Sequence, residues 1–261
     1  MVSSQPSLIV YRGFPGSGIY VWSPFVTKLE ARLRFAGLSY RTEIGSKFQS
    51  PRDKLPYISI SRADSAPVIL SDTALIIASF IDSGLLEDLN AKVSPAEKAH
   101  DLAIRALLED KLYFYQTYER WHENYYTMRP GVLSALPYPM QLIVGLLAYR
   151  QNMKTLYGQG TGRFLPEEIS AFRLQVWESV NSLLEAAKLK SKSACVRNEC
   201  FWILGTDGPT EADATVFAFI CSALVCPAGP ESRKVVKIFP VLEDYARRIH
   251  HEYFPDYCLW E

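Results

Sequence analysis

The spacing of apolar and polar positions changes character once along the chain. Residues 8–11 (Leu-Ile-Val-Tyr) form a short apolar run closed by Gly13, Pro15, Gly16 and Gly18, which predicts a buried strand entering a loop. A helix follows. Ser23 stands at its N-cap position with Pro24 as the first helical residue, and Phe25, Leu29, Leu33 and Ala36 share one face. Lys28, Glu30, Arg32 and Arg34 point elsewhere, and Gly37 stops the helix. Residues 40–44 predict a second strand. Residues 57–60 and 68–70 predict the arms of a hairpin around the turn-forming stretch 61–66. Ser71 then caps a helix that runs through Ile81 and ends at Gly84. The order is β-α-β followed by β-β-α.

Beyond Gly84 the strand signals vanish. Helical patterns cover 96–126 and 167–188, and Thr210-Glu211-Ala212-Asp213 is a capping box with Asp in place of Glu or Gln. The almost wholly apolar stretch 214–225 behind it predicts a helix buried all round. The pattern divides the chain into an α/β domain over 1–84 and an all-helical domain over 96–261, with the boundary near 85–95.

Composition narrows the function classes. A 48% hydrophobic content in 261 residues supplies a packed core, so disorder is not the main state. Basic and acidic residues number 28 each, so no long-range field draws the chain to nucleic acid or anionic lipid. The longest membrane candidate, 140–149, is too short to span a bilayer. Five cysteines and no Asn-x-Ser/Thr sequon suit a reduced, cytoplasmic compartment. Cys195/Cys200 and Cys221/Cys226 are spaced too widely for a zinc site and lack a second ligand cluster, so no metal is expected. His100, His122, His250 and His251 read as ordinary polar or capping residues.

Several residues can carry chemistry. Ser23 tops a helix whose first N–H groups are unpaired and whose dipole welcomes an anion. Its hydroxyl can cap its own helix, the plainer reading, or donate to a ligand sulfur anion and so favour the thiolate. No cysteine precedes Cys195, so thiol–disulfide exchange lacks its nucleophile. Leu55-Pro56 stands just before a strand, where a cis bond would turn the Leu55 backbone outward to pair with an extended peptide. Ser71-Asp72 opens the next helix, whose N–H groups can receive a carboxylate while Asp72 takes an ammonium group; simple capping explains the same pair. Tyr113, Tyr115, Tyr118, Trp121, Tyr125 and Tyr126 crowd one helix. Part of this set, Tyr113, Tyr118 and Trp121, is expected to wall an apolar cleft between the domains with Phe14, Tyr20 and Trp22.

Five blocks in order carry a resemblance: Trp22-Ser23-Pro24-Phe25-Val26-Thr27-Lys28-Leu29-Glu30, Lys54-Leu55-Pro56-Tyr57-Ile58, Gly158-Gln159-Gly160-Thr161-Gly162-Arg163, the stretch 209–217 and Phe239-Pro240-Val241-Leu242. They resemble the glutathione S-transferase superfamily, and within it the failed-axon-connections and metaxin-like branch. The resemblance implies a thioredoxin-like N-terminal domain, an all-α C-terminal domain and a homodimer. It also implies glutathione as co-substrate, with Ser23 as the activating hydroxyl, Leu55 and a cis Pro56 on the cysteinyl backbone, and Ser71, Asp72 and Lys47 among the glutathione contacts. Relatives commonly place an acidic residue before a serine at the γ-glutamyl end, and here the order Ser71-Asp72 looks reversed. The leading expectation is an enzyme that activates the glutathione thiolate against a small hydrophobic electrophile by conjugation, isomerisation or elimination, in detoxification or secondary metabolism. The alternatives are a fold dedicated to one biosynthetic intermediate without glutathione, and a non-catalytic interaction protein of metaxin-like type.

Overall fold

A computed structural model describes residues 6–62, 65–134, 136–191 and 199–261. Strand β1 (Ser7–Tyr11) leads through a glycine-rich loop to α1 (Pro24–Phe35), and β2 (Arg41–Glu43) returns parallel to β1. β3 (Tyr57–Arg62) lies antiparallel to β1, β4 (Ser65–Ser71) antiparallel to β3, and α2 (Thr73–Asp82) follows. The elements follow the β-α-β, β-β-α order that the pattern predicts, and the sheet order is β2-β1-β3-β4, the thioredoxin-like arrangement that the resemblance implies. The hairpin arms are longer than expected and take up most of 61–66; residues 63 and 64 lie outside the described residues.

Leu29 and Leu33 of α1 pack with Leu8, Val10, Ile58 and Phe80 into a core on one face of the sheet. Charged side chains on the other face of α1 are buried as well. α8 (Glu211–Val225) packs along α1, and Lys28, Glu30 and Arg32 are at most 2% exposed. Each is matched: Lys28 Nζ lies 2.5 Å from Glu109, Arg32 Nε 2.6 Å from Glu211, and Glu30 lies 3.2 Å from Arg12 and accepts from the Tyr257 hydroxyl at 3.0 Å. Buried charges persist only when paired and hydrogen-bonded, and losing one partner of such a pair costs about 3–5 kcal/mol. These pairs fix the seating of α1 on the helical domain.

That domain begins with α3 (Pro95–Ala106), opened by a Ser94/Glu97 capping box. Two π-helical turns, Leu107–Leu112 and Glu119–Glu123, flank α4 (Tyr113–Tyr118), and α5 (Tyr125–Val132) follows. α6 (Tyr138–Gln159), α7 (Pro166–Lys190), α8, α9 (Pro230–Ile238) and α10 (Pro240–Tyr253) complete it; α6, α9 and α10 were not expected from the pattern. α8 is the core helix, with 211–224 buried throughout as its composition predicts. Asp213 in its first turn accepts from Thr210 N–H and hydroxyl (both 2.8 Å), Ile203 N–H (2.7 Å) and the Tyr245 hydroxyl (2.7 Å).

No single helix among the described residues is long and apolar enough to cross a membrane. Cys195 lies outside the described residues, and Cys200, Cys221, Cys226 and Cys258 are free thiols.

Candidate active site

The sheet register gathers the candidate residues at one end. Tyr11, the last residue of β1, pairs with Tyr57, the first of β3, and Tyr57 pairs with Ser71, the last of β4. The loop leaving β1 toward Ser23, the Leu55-Pro56 peptide entering β3 and Asp72 leaving β4 therefore emerge side by side. Tyr11 also pairs with Glu43 of β2, so the connection bearing Lys47 starts from the same end. Lys47 itself is exposed, with its ammonium over the Phe48 ring.

Ser23 occupies the N-cap position of α1, half-buried, with Pro24 behind it. Its side chain makes no capping bond, contrary to the plainer reading of the sequence. Among the described residues neither its hydroxyl nor its N–H has a hydrogen-bond partner. Two donors thus stand free at the positive end of a 12-residue helix.

The Leu55-Pro56 bond is cis, and no described residue bonds the Leu55 backbone N–H or C=O. Gly13 takes a φ of +74° and lies against the Leu55 side chain, so a Cβ there would collide with it.

At the end of β4 the expected register shifts by one residue. Ser71 is the last residue of the strand, and its buried hydroxyl is unpartnered among the described residues. Asp72 is the N-cap, with φ of 75°, accepting from Ala74 N–H at 3.2 Å and from Lys54 Nζ at 3.1 Å. Partial burial opposes ionisation of Asp72, but the Lys54 contact and the Leu75 and Ala74 N–H groups outweigh it and hold its pKa below the ordinary value. The side chain that follows the acid is Thr73, the first helical residue.

The aromatic residues divide. Tyr113 meets Phe25 edge-on at 5.0 Å, next to the start of α1. Phe14 lies 5.9 Å from Trp22, and Trp22 and Trp121 pack on Met128, Cys226 and Ala228. Gly131 of α5 touches the Trp22 ring so closely that a Cβ there would overlap it. Phe14 and Trp121 thus gather near Trp22, the residue before Ser23, and Tyr113 at Phe25, two residues after it. Tyr20 and Tyr118 do not wall the cleft. Tyr20 is buried among Phe217, Phe254, Tyr257 and Trp260, and its hydroxyl meets His250 Nδ1 at 2.8 Å. Tyr118 is in the helical core, stacked on His122 at 4.6 Å. In both, burial raises the phenol pKa. A separate recess of about 350 Å³ lies between α2 and α3, away from Ser23.

The family model described as the glutathione S-transferase N-terminal domain matches residues 24–128. The isoprene-epoxide--glutathione S-transferase of Rhodococcus sp. (strain AD45) is 27% identical over 94% of this chain and 99% of its own. Over residues 24–128 the chain matches the glutathione S-transferase N-terminal domain, and the whole chain has the glutathione-transferase fold. Solved structures agree on the fold: glutathione transferase GSTFuA3 from Phanerochaete chrysosporium aligns over 99% of this chain and 100% of its own, with 16% identity and a TM-score of 0.59. Ure2p in complex with glutathione aligns over 96% and 93%, with 10% identity and a TM-score of 0.57. Neither the family model nor these relatives singles out the metaxin-like branch.

For this glutathione transferase fold the corrected register removes the apparent anomaly. The acid-then-hydroxyl order reads Asp72-Thr73, not a reversed Ser71-Asp72. Lys54 and Thr73 are the neighbours that sequence reasoning left out of the site. A cation one residue before Leu55-Pro56 was visible in the sequence, whereas the left-handed φ of Asp72 was not.

Proposed function

We propose that this chain is a glutathione transferase that opens a small hydrophobic epoxide, or a comparably reactive electrophile, with the glutathione sulfur. The observation that carries it is the pair of free donors of Ser23 at the head of α1, beside an unengaged Leu55 backbone. In this reading the cysteinyl backbone pairs with Leu55, the γ-glutamyl ammonium meets Asp72, and Lys47 borders the site. Ser23 stabilises the sulfur anion, and the thiol proton leaves to solvent. The sulfur forms a C–S bond as the C–O bond of the epoxide breaks, and the alkoxide takes a proton from water. Phe14, Trp22, Tyr113 and Trp121 supply apolar surface for the electrophile.

The Rhodococcus relative supports this reading because it is named for both partners of such a reaction and aligns along 94% of the chain. The reading without glutathione loses its motive, since Asp72 is followed by a hydroxyl and faces Lys54. Nothing in the comparisons favours the adaptor reading. We take 1–84 and 96–261 as the two domains and the cytoplasm, where glutathione is the bulk thiol, as the compartment. A homodimer would cover apolar side chains left exposed on α6 (Ile143, Leu147) and on β4 (Val68, Ile69); sedimentation at twice the chain mass is expected, and at the chain mass would refute it.

Incubation with glutathione and a panel of small epoxides tests the function. A thioether adduct detected by mass spectrometry is the expected result, and neither adduct nor saturable glutathione binding across the panel would overturn it. Asp72→Asn should weaken glutathione about tenfold without unfolding α2, because Asn caps as well as Asp but lacks the charge. The depressed pKa keeps Asp72 ionised to below 3.8, so the affinity gap should hold across neutral pH and close only in acid. Equal calorimetric affinities at pH 7 would refute the role.

A further inference from the structure

Behind Ser23 lies a buried cation that no carboxylate among the described residues pairs with. Arg120, on the second π-helical turn, is 5% exposed. Its Nη1 donates to the Trp22 carbonyl at 2.9 Å, and its Nη2 donates to the carbonyl and hydroxyl oxygens of Ser222 at 3.2 and 3.0 Å. The Ser222 hydroxyl donates to the same Trp22 carbonyl at 2.6 Å. Two donors therefore grip one oxygen, and one of them is charged.

That oxygen belongs to the peptide that carries the Ser23 N–H. The peptide is trans, so its C=O and N–H point in opposite directions. With the oxygen held by Arg120 and Ser222, the N–H is turned the other way, where it has no partner among the described residues. Hydrogen bonds to a carbonyl polarise the same amide's N–H, so the grip both fixes and strengthens this donor.

The carboxylates nearest Arg120 are engaged elsewhere. The adjacent Glu119 is taken up by Arg173 at 3.0 Å, by the N–H groups of Glu231 and Ser232 at 2.7 and 3.1 Å, and by the Ser232 hydroxyl. Glu119 is thereby spent on Arg173 and the first turn of α9, and forms no ion pair with Arg120. Glu123, farther along the same turn, faces Arg173. From the side of α1, Lys28 is matched by Glu109. On α8's C-terminal flank sits the Cys226 thiol; burial raises its pKa, and the Arg120 charge pulls in the opposite direction, the sense required to favour a sulfur anion.

We propose that Arg120 is a positioning residue for thiolate formation: through the Trp22 carbonyl it orients and polarises the Ser23 N–H, so the sulfur anion meets hydroxyl and N–H together, backed by a guanidinium that forms no ion pair among the described residues. Arg120 touches no substrate. The proposal rests on the thiolate reading of Ser23.

The test is the pH titration of thiolate ultraviolet absorbance in glutathione complexes of the wild type, Arg120→Met, Arg120→Lys and Ser222→Ala, with steady-state kinetics on each. Arg120→Met should raise the bound thiol's pKa by about one and lower kcat about tenfold, with KM for glutathione nearly unchanged. Arg120→Lys keeps the charge and should recover most of the pKa, and Ser222→Ala should give a smaller rise in the same direction. A folded Met variant with the wild-type thiol pKa, or a Lys variant displaced as far as Met, would overturn the proposal. Should Arg120→Met fail to fold, wild-type pKa values in both folded Ser222→Ala and a Lys variant of normal kcat would overturn it equally. A wild type that does not depress the thiol pKa at all defeats the Ser23 reading itself, a result separable from the first.

Discussion

Ser23→Ala is expected to reduce kcat/KM for glutathione addition to a small epoxide by about 10- to 100-fold. The estimate follows from the loss of one hydrogen bond to a charged sulfur, worth about 1.5–3 kcal/mol. Because the hydroxyl does not cap α1, the substitution should leave helix and fold intact, and thermal stability should stay close to that of the wild type. Glutathione affinity should change less than turnover, since Leu55 and Asp72 hold the peptide backbone in this reading. Ser23→Cys would keep a donor of similar size but place a second ionisable sulfur beside the first, so it should not restore the rate. Unchanged turnover in Ser23→Ala would remove the residue from the mechanism.

Asp213→Ala should be the most damaging single change to stability at a distance from the site. The carboxylate is fully buried and receives four hydrogen bonds that tie Thr210, Ile203 and Tyr245 to the first turn of α8. Removing it strands those donors in the core, each at about 1–3 kcal/mol with partial relaxation, so a total loss of about 3–5 kcal/mol is expected. For a chain of this size that corresponds to a melting temperature lower by roughly 10 °C. Burial pushes the Asp213 pKa from 3.8 up to about 6, with the bonds from Ile203, Thr210 and Tyr245 pulling it down. The folded chain therefore holds this proton more tightly than the unfolded one. The associated stability is fully present below 3.8 and is lost as pH rises through about 6. Asp213→Ala should lack that component of the slope between pH 4 and pH 6, which denaturant titrations at the two pH values would measure. A variant that melts with the wild type would show that α8 does not depend on this residue.

The elements of the first domain and their order along the chain were legible because each carries a local signal: an apolar run, a Pro after an N-cap, a glycine stop. Ser23 was found for the same reason. Its freedom from capping was not, because whether a hydroxyl turns back to its helix depends on the N-cap backbone, here at φ of −83° and ψ of 117°. The one-residue error at Ser71-Asp72 has a similar origin. Both residues are good caps, and only the extra residue of β4 decides between them.

The burial of the charged face of α1 was not legible for a different reason. Helical periodicity reveals one apolar stripe, and the second packing surface shows itself only when α8 brings Glu211 to Arg32 and the first π-helical turn brings Glu109 to Lys28. Tyr20 and Tyr118 show the limit for aromatic residues. An amphipathic ring suits a cleft or a core equally well, and the choice for Tyr20 was made by His250, 230 residues away in sequence. α6 escaped notice because its apolar residues encircle the helix, leaving Ile143 and Leu147 exposed instead of segregated toward the core.

The claim on which the rest depends is that the head of α1 holds glutathione as its anion. Ultraviolet difference spectra of the wild type and Ser23→Ala at pH 7, each saturated with glutathione, test it most directly. A thiolate band in the wild type that is strongly reduced in the variant is the expected result. No saturable binding in the wild type, or bands of equal height in the two proteins, would contradict it.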